Sequence, residues 1–312
     1  MDIQKILVPT DFSACAQHAL TKAVDLAERF DATLHVLHVV DELDPEFYGI
    51  DDAQKKATQI RARIREEAQD RLNHMVPDGE SIEIDTAVSV HLSFDVAATI
   101  HDYIEENGID LVVMGTHGHR NIERLMLGNV ADKLVRHARC PVITVNEEVP
   151  WIEGEKGRIV EEVLAPVDFS EHSKQAVRVA KEFADVYGAT LHLLFVAEKR
   201  TVPTFSDTGL PGVGVVEMDE EIVANADKAL RQLSDSVGGP DVPITTAVKH
   251  GRVAESVIDY AETEGTQLIV MATRGLSGVE RFLLGSNTER IVRVAQCPVL
   301  TMLTEKTEEA KA

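Results

Sequence analysis

Three segments of this chain occur twice, at one fixed offset. KILVPTDFS at 5–13 returns as VLAPVDFS at 163–170. TLHVLHVV at 33–40 returns as TLHLLFVA at 190–197, and CPVITV at 140–145 returns as CPVLTM at 297–302. Asp11 and Asp168, Leu34 and Leu191, and Cys140 and Cys297 each lie 157 positions apart. One offset held from the first segment to the last excludes a solenoid, whose units recur at periods of roughly 20–50 residues. It requires two copies of one complete domain. The length of 312 residues agrees, at roughly 100–200 residues per domain.

The two domains are expected over 1–146 and 159–303, with a connector over 147–158 and a polar tail over 304–312. Pro150, Gly154, Gly157 and the charges around them mark the connector. Trp151, the single tryptophan, reads as a hydrophobic peg on a domain edge rather than a binding group. The tail TEKTEEAKA is expected to fray.

Within each copy, apolar β-rich runs alternate with helical patterns. The first copy predicts strands near 3–9, 33–40, 82–88, 110–115 and 141–146, and helices near 13–30, 51–75, 93–107 and 129–138. The second predicts strands near 160–166, 190–196, 243–249, 267–272 and 298–303. Strands separated by helices pair in parallel through right-handed crossovers. The runs LVVM at 111–114 and LIVM at 268–271 are apolar on both faces, as in strands covered by helices on both sides. Each copy therefore reads as an α/β, doubly wound, five-stranded parallel sheet. Residues 202–216, with three glycines, two prolines and no helical period, read as a loop after the second strand of copy two.

Composition narrows the partners. Apolar residues at 44% and charged residues at 27% suit packed globular domains. With 31 basic against 53 acidic residues, the formal charge of −22 repels nucleic-acid phosphates and anionic lipid. No nucleic-acid partner is expected, and any phosphate ligand must be held by local devices such as backbone N–H groups. No apolar run reaches the roughly 18 residues of a membrane span. The N-terminal MDIQKILVPT reads as a strand and not a signal peptide, so a cytoplasmic location is expected. Cys15, Cys140 and Cys297 make no disulfide framework and read as small buried residues. Neither CxxC nor HExxH occurs, and no metal site is expected.

In such sheets ligands bind beyond the carboxyl ends of the strands, where the strand order reverses. The first strand ends in Pro9-Thr10-Asp11, and its copy in Pro166-Val167-Asp168. The fourth ends in Met114-Gly115, and its copy in Met271-Ala272. The loops MGTHGHRNIERLMLGN (114–129) and MATRGLSGVERFLLGSN (271–287) follow, each leading into a helix. Glycines allow positive φ and close approach. A helix N-terminus adds free N–H groups and a positive dipole end, which together make a phosphate cradle. Alternatively, the glycines merely close a tight loop and the aspartates merely cap helices, a task open to Ser13 and Ser170. His117 and Arg274 share one loop position, facing either phosphate or solvent. There is no GxxxxGK[ST] loop, no GxGxxG after the first strand and no nucleophile paired with a base.

The G-x2-G-x9-G-[S/T] loop, with Asp after the first strand, resembles the nucleotide-binding pattern of universal stress proteins. The resemblance covers nearly the whole chain, twice. It implies adenine nucleotide alpha hydrolase-like domains of strand order 3-2-1-4-5. It implies ATP or another adenine nucleotide as ligand, with any Mg2+ carried by the phosphates, and a role in stress response or signalling. Single domains of that family dimerise through the last strand. The two copies are therefore expected to form an internal pseudo-dimer, with homodimerisation of the chain left open. By motif match, Asp11 and Asp168 would face adenine or ribose, flanked by Pro9, Thr10, Pro166 and Val167. Val39 and Val196 would offer backbone to the base. Met114, Gly115, Gly118, Gly128, Asn129 and Val130 would cradle phosphates in copy one. Met271, Ala272, Gly275, Gly285, Ser286 and Asn287 would do so in copy two.

Both copies depart from the pattern. Copy one has Asn129 where Ser or Thr is expected, lacks a counterpart of Gly251, and is about three residues longer between 88 and 96. Copy two has Ala272 for the first glycine. Copy two is therefore ranked ahead as a binder. Three readings stand: a nucleotide-binding protein with little or no turnover, a nucleotide-free interaction scaffold, and a slow ATP hydrolase.

Overall fold

The computed structural model describes residues 1–41, 53–75, 83–91, 95–117, 127–146, 160–198, 201–205, 211–215, 220–273 and 284–303. The connector with Trp151, the polar tail, Gly118, Gly275 and Arg274 lie outside the described residues. The chain forms two compact units, 1–151 with 300–303 and 152–299 with 304–312.

The first unit runs β1 (Lys5–Pro9), α1 (Ala14–Phe30), β2 (Thr33–Asp41), α2 (Ala53–Met75), β3 (Ile84–His91), α3 (Val96–Asn107), β4 (Leu111–Gly115), α4 (Asn129–His137) and β5 (Val142–Val145). Its strands are parallel, in the order β3-β2-β1-β4-β5. The second repeat runs β6 (Glu162–Val167), α5 (Glu171–Tyr187), β7 (Thr190–Ala197), β8 (Thr201–Phe205), β9 (Pro211–Val215), α6 (Glu220–Ser236), β10 (Ile244–His250), α7 (Val253–Thr263), β11 (Leu268–Ala272), α8 (Ser286–Val294) and β12 (Val299–Met302). Its order is β10-β7-β6-β11-β12, with β8 and β9 apart.

The core explains the order. Ile6, Leu7 and Val8 of β1 are fully buried, as are Val163, Leu164 and Ala165 of β6. A strand buried on consecutive residues has helices on both faces and must be central. Because β1 pairs with both β2 and β4, the order reverses beside it. The crevice for a ligand opens at that reversal. Cys140 and Cys297 are buried, and burial pushes the Cys140 thiol up to about 12, so it stays protonated and inert.

One sequence reading is corrected. The stretch 202–216 contains an antiparallel ribbon, β8 against β9, with Val202 opposite Gly214 and Thr204 opposite Gly212. In 211–215 glycine alternates with valine, a period of two that suits a strand and that a count of glycines and prolines conceals. No helix among the described residues is long and apolar enough to cross a membrane.

Candidate functional site

The turn from β1 into α1 is built the same way in both repeats. Thr10 N donates to Leu37 O at 2.9 Å, tying the end of β1 to β2. Asp11 Oδ1 accepts from Ser13 N at 3.0 Å, and Ser13 Oγ accepts from Ala16 N as the N-cap of α1. In the second repeat Asp168 Oδ1 accepts from both Ser170 N (3.0 Å) and Ser170 Oγ (2.6 Å), and Ser170 caps α5. The serines are therefore the caps, and each aspartate braces the turn before them. Between them, Phe12 and Phe169 both take φ of 64°, a left-handed conformation that is rare for a bulky residue. The Phe12 ring lies 4.4 Å from His38 of β2, and Phe169 lies 5.1 Å from Phe195 of β7. His38 Nδ1 donates to Thr10 O at 2.7 Å, and burial lowers the pKa of its ring. The Arg71 guanidinium covers the Phe12 ring at 4.0 Å.

The second wall follows β4 and β11. Thr116 and Thr273, both buried, accept at their carbonyls from Gly128 N (2.8 Å) and Gly285 N (3.0 Å). These bonds pinch the base of each loop and set the glycine as N-cap of α4 or α8. Gly128 has φ −60° and ψ 146°, and Gly285 has φ −60° and ψ 138°. Neither is left-handed, nor is Gly115. The expectation that these glycines supply positive φ is thus corrected, since any residue adopts this backbone. What they supply is space. A Cβ on Gly128 would stand 3.0 Å from Thr116 O, and one on Gly285 would stand 3.4 Å from Thr273 O. No side chain caps α4 or α8. Their first-turn N–H groups are the free donors from which an anion site is made.

Gly115 has a different task. A Cβ there would meet Cys15 Sγ at 2.7 Å. Cys15 is 2% exposed and donates its S–H to Val145 O at 3.1 Å. In the second repeat Ala272 replaces Gly115, and His172 stands where Cys15 stands. Ala272 is not left-handed, so the alanine carries no backbone strain.

Within each repeat the strand ends bring the motif residues to one edge. Pro9 pairs with Leu37, which directs Asp11 toward Val39; Met114 and Gly115 end the neighbouring β4. Pro166, Val167 and Asp168 hold the same relation to Val196, with Met271 and Ala272 ending β11. Asn129 and Val130 open α4, and Ser286 and Asn287 open α8. Sequence reading missed the charged groups beside these helices. Asp95 caps α3 with one oxygen and takes Lys133 Nζ on the other at 2.9 Å; that bond, chiefly, lowers the Asp95 pKa. Arg252 and Arg290 occupy the corresponding positions of the second repeat, and both reach Glu255 Oε1, at 3.2 and 3.1 Å. The fixed offset of 157 pairs Asp95 with Arg252 and was the signal that could have found them.

Known proteins resemble this chain along its whole length. The model of the universal stress protein family matches residues 2–146 and again 160–302. A universal stress protein of Methanocaldococcus jannaschii is 33% identical over 147 residues, covering 46% of this chain and 82% of the relative. One of Mycobacterium tuberculosis is 25% identical over 234 residues, covering 71% of each chain. The crystal structure of a universal stress protein from Archaeoglobus fulgidus covers 96% of this chain and 98% of its own, with a TM-score of 0.63 at 18% identity, a likeness of fold alone. The repeated family match spans both α/β units, from β1 through β5 and from β6 through β12, and so the chain belongs to the universal stress protein family.

Proposed function

We propose that this chain binds ATP or another adenine nucleotide in at least one repeat, with little or no turnover, as part of a cytoplasmic stress response or signalling process. One observation carries the reading. In each repeat a glycine N-cap without any capping side chain opens a helix beside the aspartate turn that ends the central strand. That arrangement offers backbone donors for phosphates at one side and a carboxylate turn for a nucleoside at the other. Any Mg2+ would ride on the phosphates. Asp11, Val39, Gly128, Asn129 and Val130 would serve the first repeat; Asp168, Val196, Gly285, Ser286 and Asn287 would serve the second. Turnover would need a positioned water, a base and charge on the leaving phosphate. The hydroxyls that meet a base at this edge are committed to structure. Ser170 Oγ, 2.6 Å from Asp168 Oδ1, caps α5. The buried Thr116 Oγ1, 2.9 Å from His117 Nδ1, is also within hydrogen-bond distance of Val145 O and Asn146 Oδ1. Two family domains in one chain also fit an internal pseudo-dimer that replaces the pairing of separate domains.

One observation favours the scaffold reading instead. The space beside Gly115 is filled by Cys15, so this glycine serves packing even with no ligand. The deciding experiment is to denature the purified protein and identify any released small molecule by mass spectrometry. An adenine nucleotide near or above one equivalent supports the proposal. Its absence, together with no heat on titrating ATP, leaves the scaffold.

A further inference from the structure

Outside the glycine loops, the two repeats differ in charge near the first turns of their third and fourth helices. In the first repeat, Asp95 Oδ2 holds Lys133 Nζ at 2.9 Å, one negative charge against one positive. In the second, Arg252 and Arg290 share the single oxygen Glu255 Oε1, at 3.2 and 3.1 Å. Two guanidiniums on one carboxylate leave a surplus positive charge, in a chain whose formal net charge is −22. Arg290 follows Ser286 by four residues, so the two share a face of α8, one turn apart. Arg252 is the N-cap residue of α7 and makes no side-chain cap bond. The side chains of Arg252 and Arg290 are 81% and 51% exposed, and that of Glu255 is 46% exposed. Ion pairs so exposed contribute little, so either arginine can leave Glu255 for another anion at small cost.

We propose that Arg252 and Arg290 clamp the outer phosphates of a nucleotide and make the second repeat prefer a nucleoside triphosphate to a monophosphate. In the first repeat Asp95 neutralises Lys133 and opposes outer phosphates with its own charge, so that repeat lacks the preference. The proposal rests on the nucleotide-binding reading above and adds the phosphate class to it. The physical division is between inner and outer phosphates. Uncapped N–H groups at the start of α8 can hold an inner phosphate of either ligand. A triphosphate adds outer phosphates whose oxygens guanidinium forks match bidentately, and a monophosphate has none to offer once its phosphate is held by those N–H groups.

The test titrates the full chain with ATP and with AMP by calorimetry. Arg252→Gln/Arg290→Gln is expected to weaken ATP at one site class about ten-fold, the loss of roughly one charge-assisted bond, and to leave AMP within about two-fold. Asp95→Asn keeps a good N-cap while releasing Lys133, and is expected to strengthen ATP relative to AMP at the other class. If the arginine variant weakens ATP and AMP alike, or leaves ATP unchanged where the wild type binds it, the clamp is refuted and the nucleotide reading stands. If the wild type binds neither ligand, that reading falls and takes the clamp with it.

Discussion

Cys15 Sγ lies where Gly115 would carry a side chain, 2.7 Å from the position of its missing Cβ. Real Cβ contacts are longer, and two further Cys15 atoms stand at 3.1 Å. Gly115→Ala should therefore destabilise the first unit by about 1–3 kcal/mol, the range for overpacking a tight core. Cys15→Ala removes the obstructing sulfur, so the double variant should be more stable than the sum of the single effects predicts. Urea unfolding of the four proteins measures the coupling. Strict additivity would show that the sulfur is not what excludes the methyl group.

The fold was legible because its signals are periodic and repeated. Alternating apolar runs located the ten parallel strands of the two repeats, eight of them at the one offset and β3 and β10 three positions off it. The β8–β9 ribbon was not, because its glycines and prolines read as a loop when its pairing partner is unknown. At the site, Gly115, Gly128 and Gly285 stand at the strand and helix ends where the sequence put them, but without the positive φ expected of them. Gly115 answers to Cys15, 100 positions earlier, and Gly128 to the carbonyl of Thr116. Such contacts depend on how the chain closes on itself, which no local spacing records. Asp95 and Arg252 were readable only by aligning the copies, since singly each looks like an ordinary helix-start residue.

Acid should weaken the first unit. Burial, first among the causes, lowers the pKa of both His35 and His38 from the ordinary 6.5. The folded state therefore favours neutral rings, and the unfolded chain binds more protons below that value. The stabilising contribution is present above about pH 6.5 and is lost as the pH falls through the lowered folded values. His38→Phe, the residue found at Phe195, removes one of the two titrations. Chemical unfolding between pH 7 and 5 should show a shallower loss for this variant than for the wild type; equal slopes would assign the acid sensitivity elsewhere.

A buried imidazole recurs in both repeats with unequal support. His192 Nε2 lies 2.8 Å from Glu162 Oε2, and its Nδ1 lies 2.8 Å from the Tyr260 hydroxyl. With the carboxylate accepting from Nε2–H, a neutral ring accepts from Tyr260 at Nδ1. Burial, first among the causes, pushes the phenol up to about 12, so it remains a donor. In the first repeat Lys5 stands in place of Glu162, and His35 Nε2 has no hydrogen-bond partner among the described residues. Glu162→Ala should cost about 1–3 kcal/mol by leaving a buried N–H unpaired, and Lys5→Ala should cost less. Thermal unfolding compares them, and a larger loss for Lys5→Ala would contradict this account.

The glycine N-caps separate the two repeats. At Gly128 a methyl group would press to 3.0 Å against Thr116 O, which is held by the 2.8 Å bond from Gly128 N and cannot move aside freely. At Gly285 the nearest atoms, Thr273 O and Thr288 Oγ1, stand at 3.4 and 3.6 Å, ordinary contact distances. Both alanines share the loss of a good N-cap, about 0.5–2 kcal/mol when a favoured cap is replaced and less when it is glycine. The extra strain falls on Gly128→Ala, which should be the less stable variant. Gly285→Ala should lose only the cap contribution and still fold, while its methyl group, beside Thr288 Oγ1 at the first turn of α8, should weaken nucleotide affinity. A ligand at about 100 times its Kd stabilises a folded protein by about 2.7 kcal/mol, so melting with and without ATP reads the difference. The wild type should melt higher with ATP, and Gly285→Ala should lose much of that rise. Phosphate release by the wild type should stay well below about one turnover per second, the lower end for ordinary enzymes. If Gly128→Ala folds and abolishes the rise while Gly285→Ala preserves it, the second repeat is not the stronger binder. Sustained turnover above that rate would contradict the reading of little or no turnover.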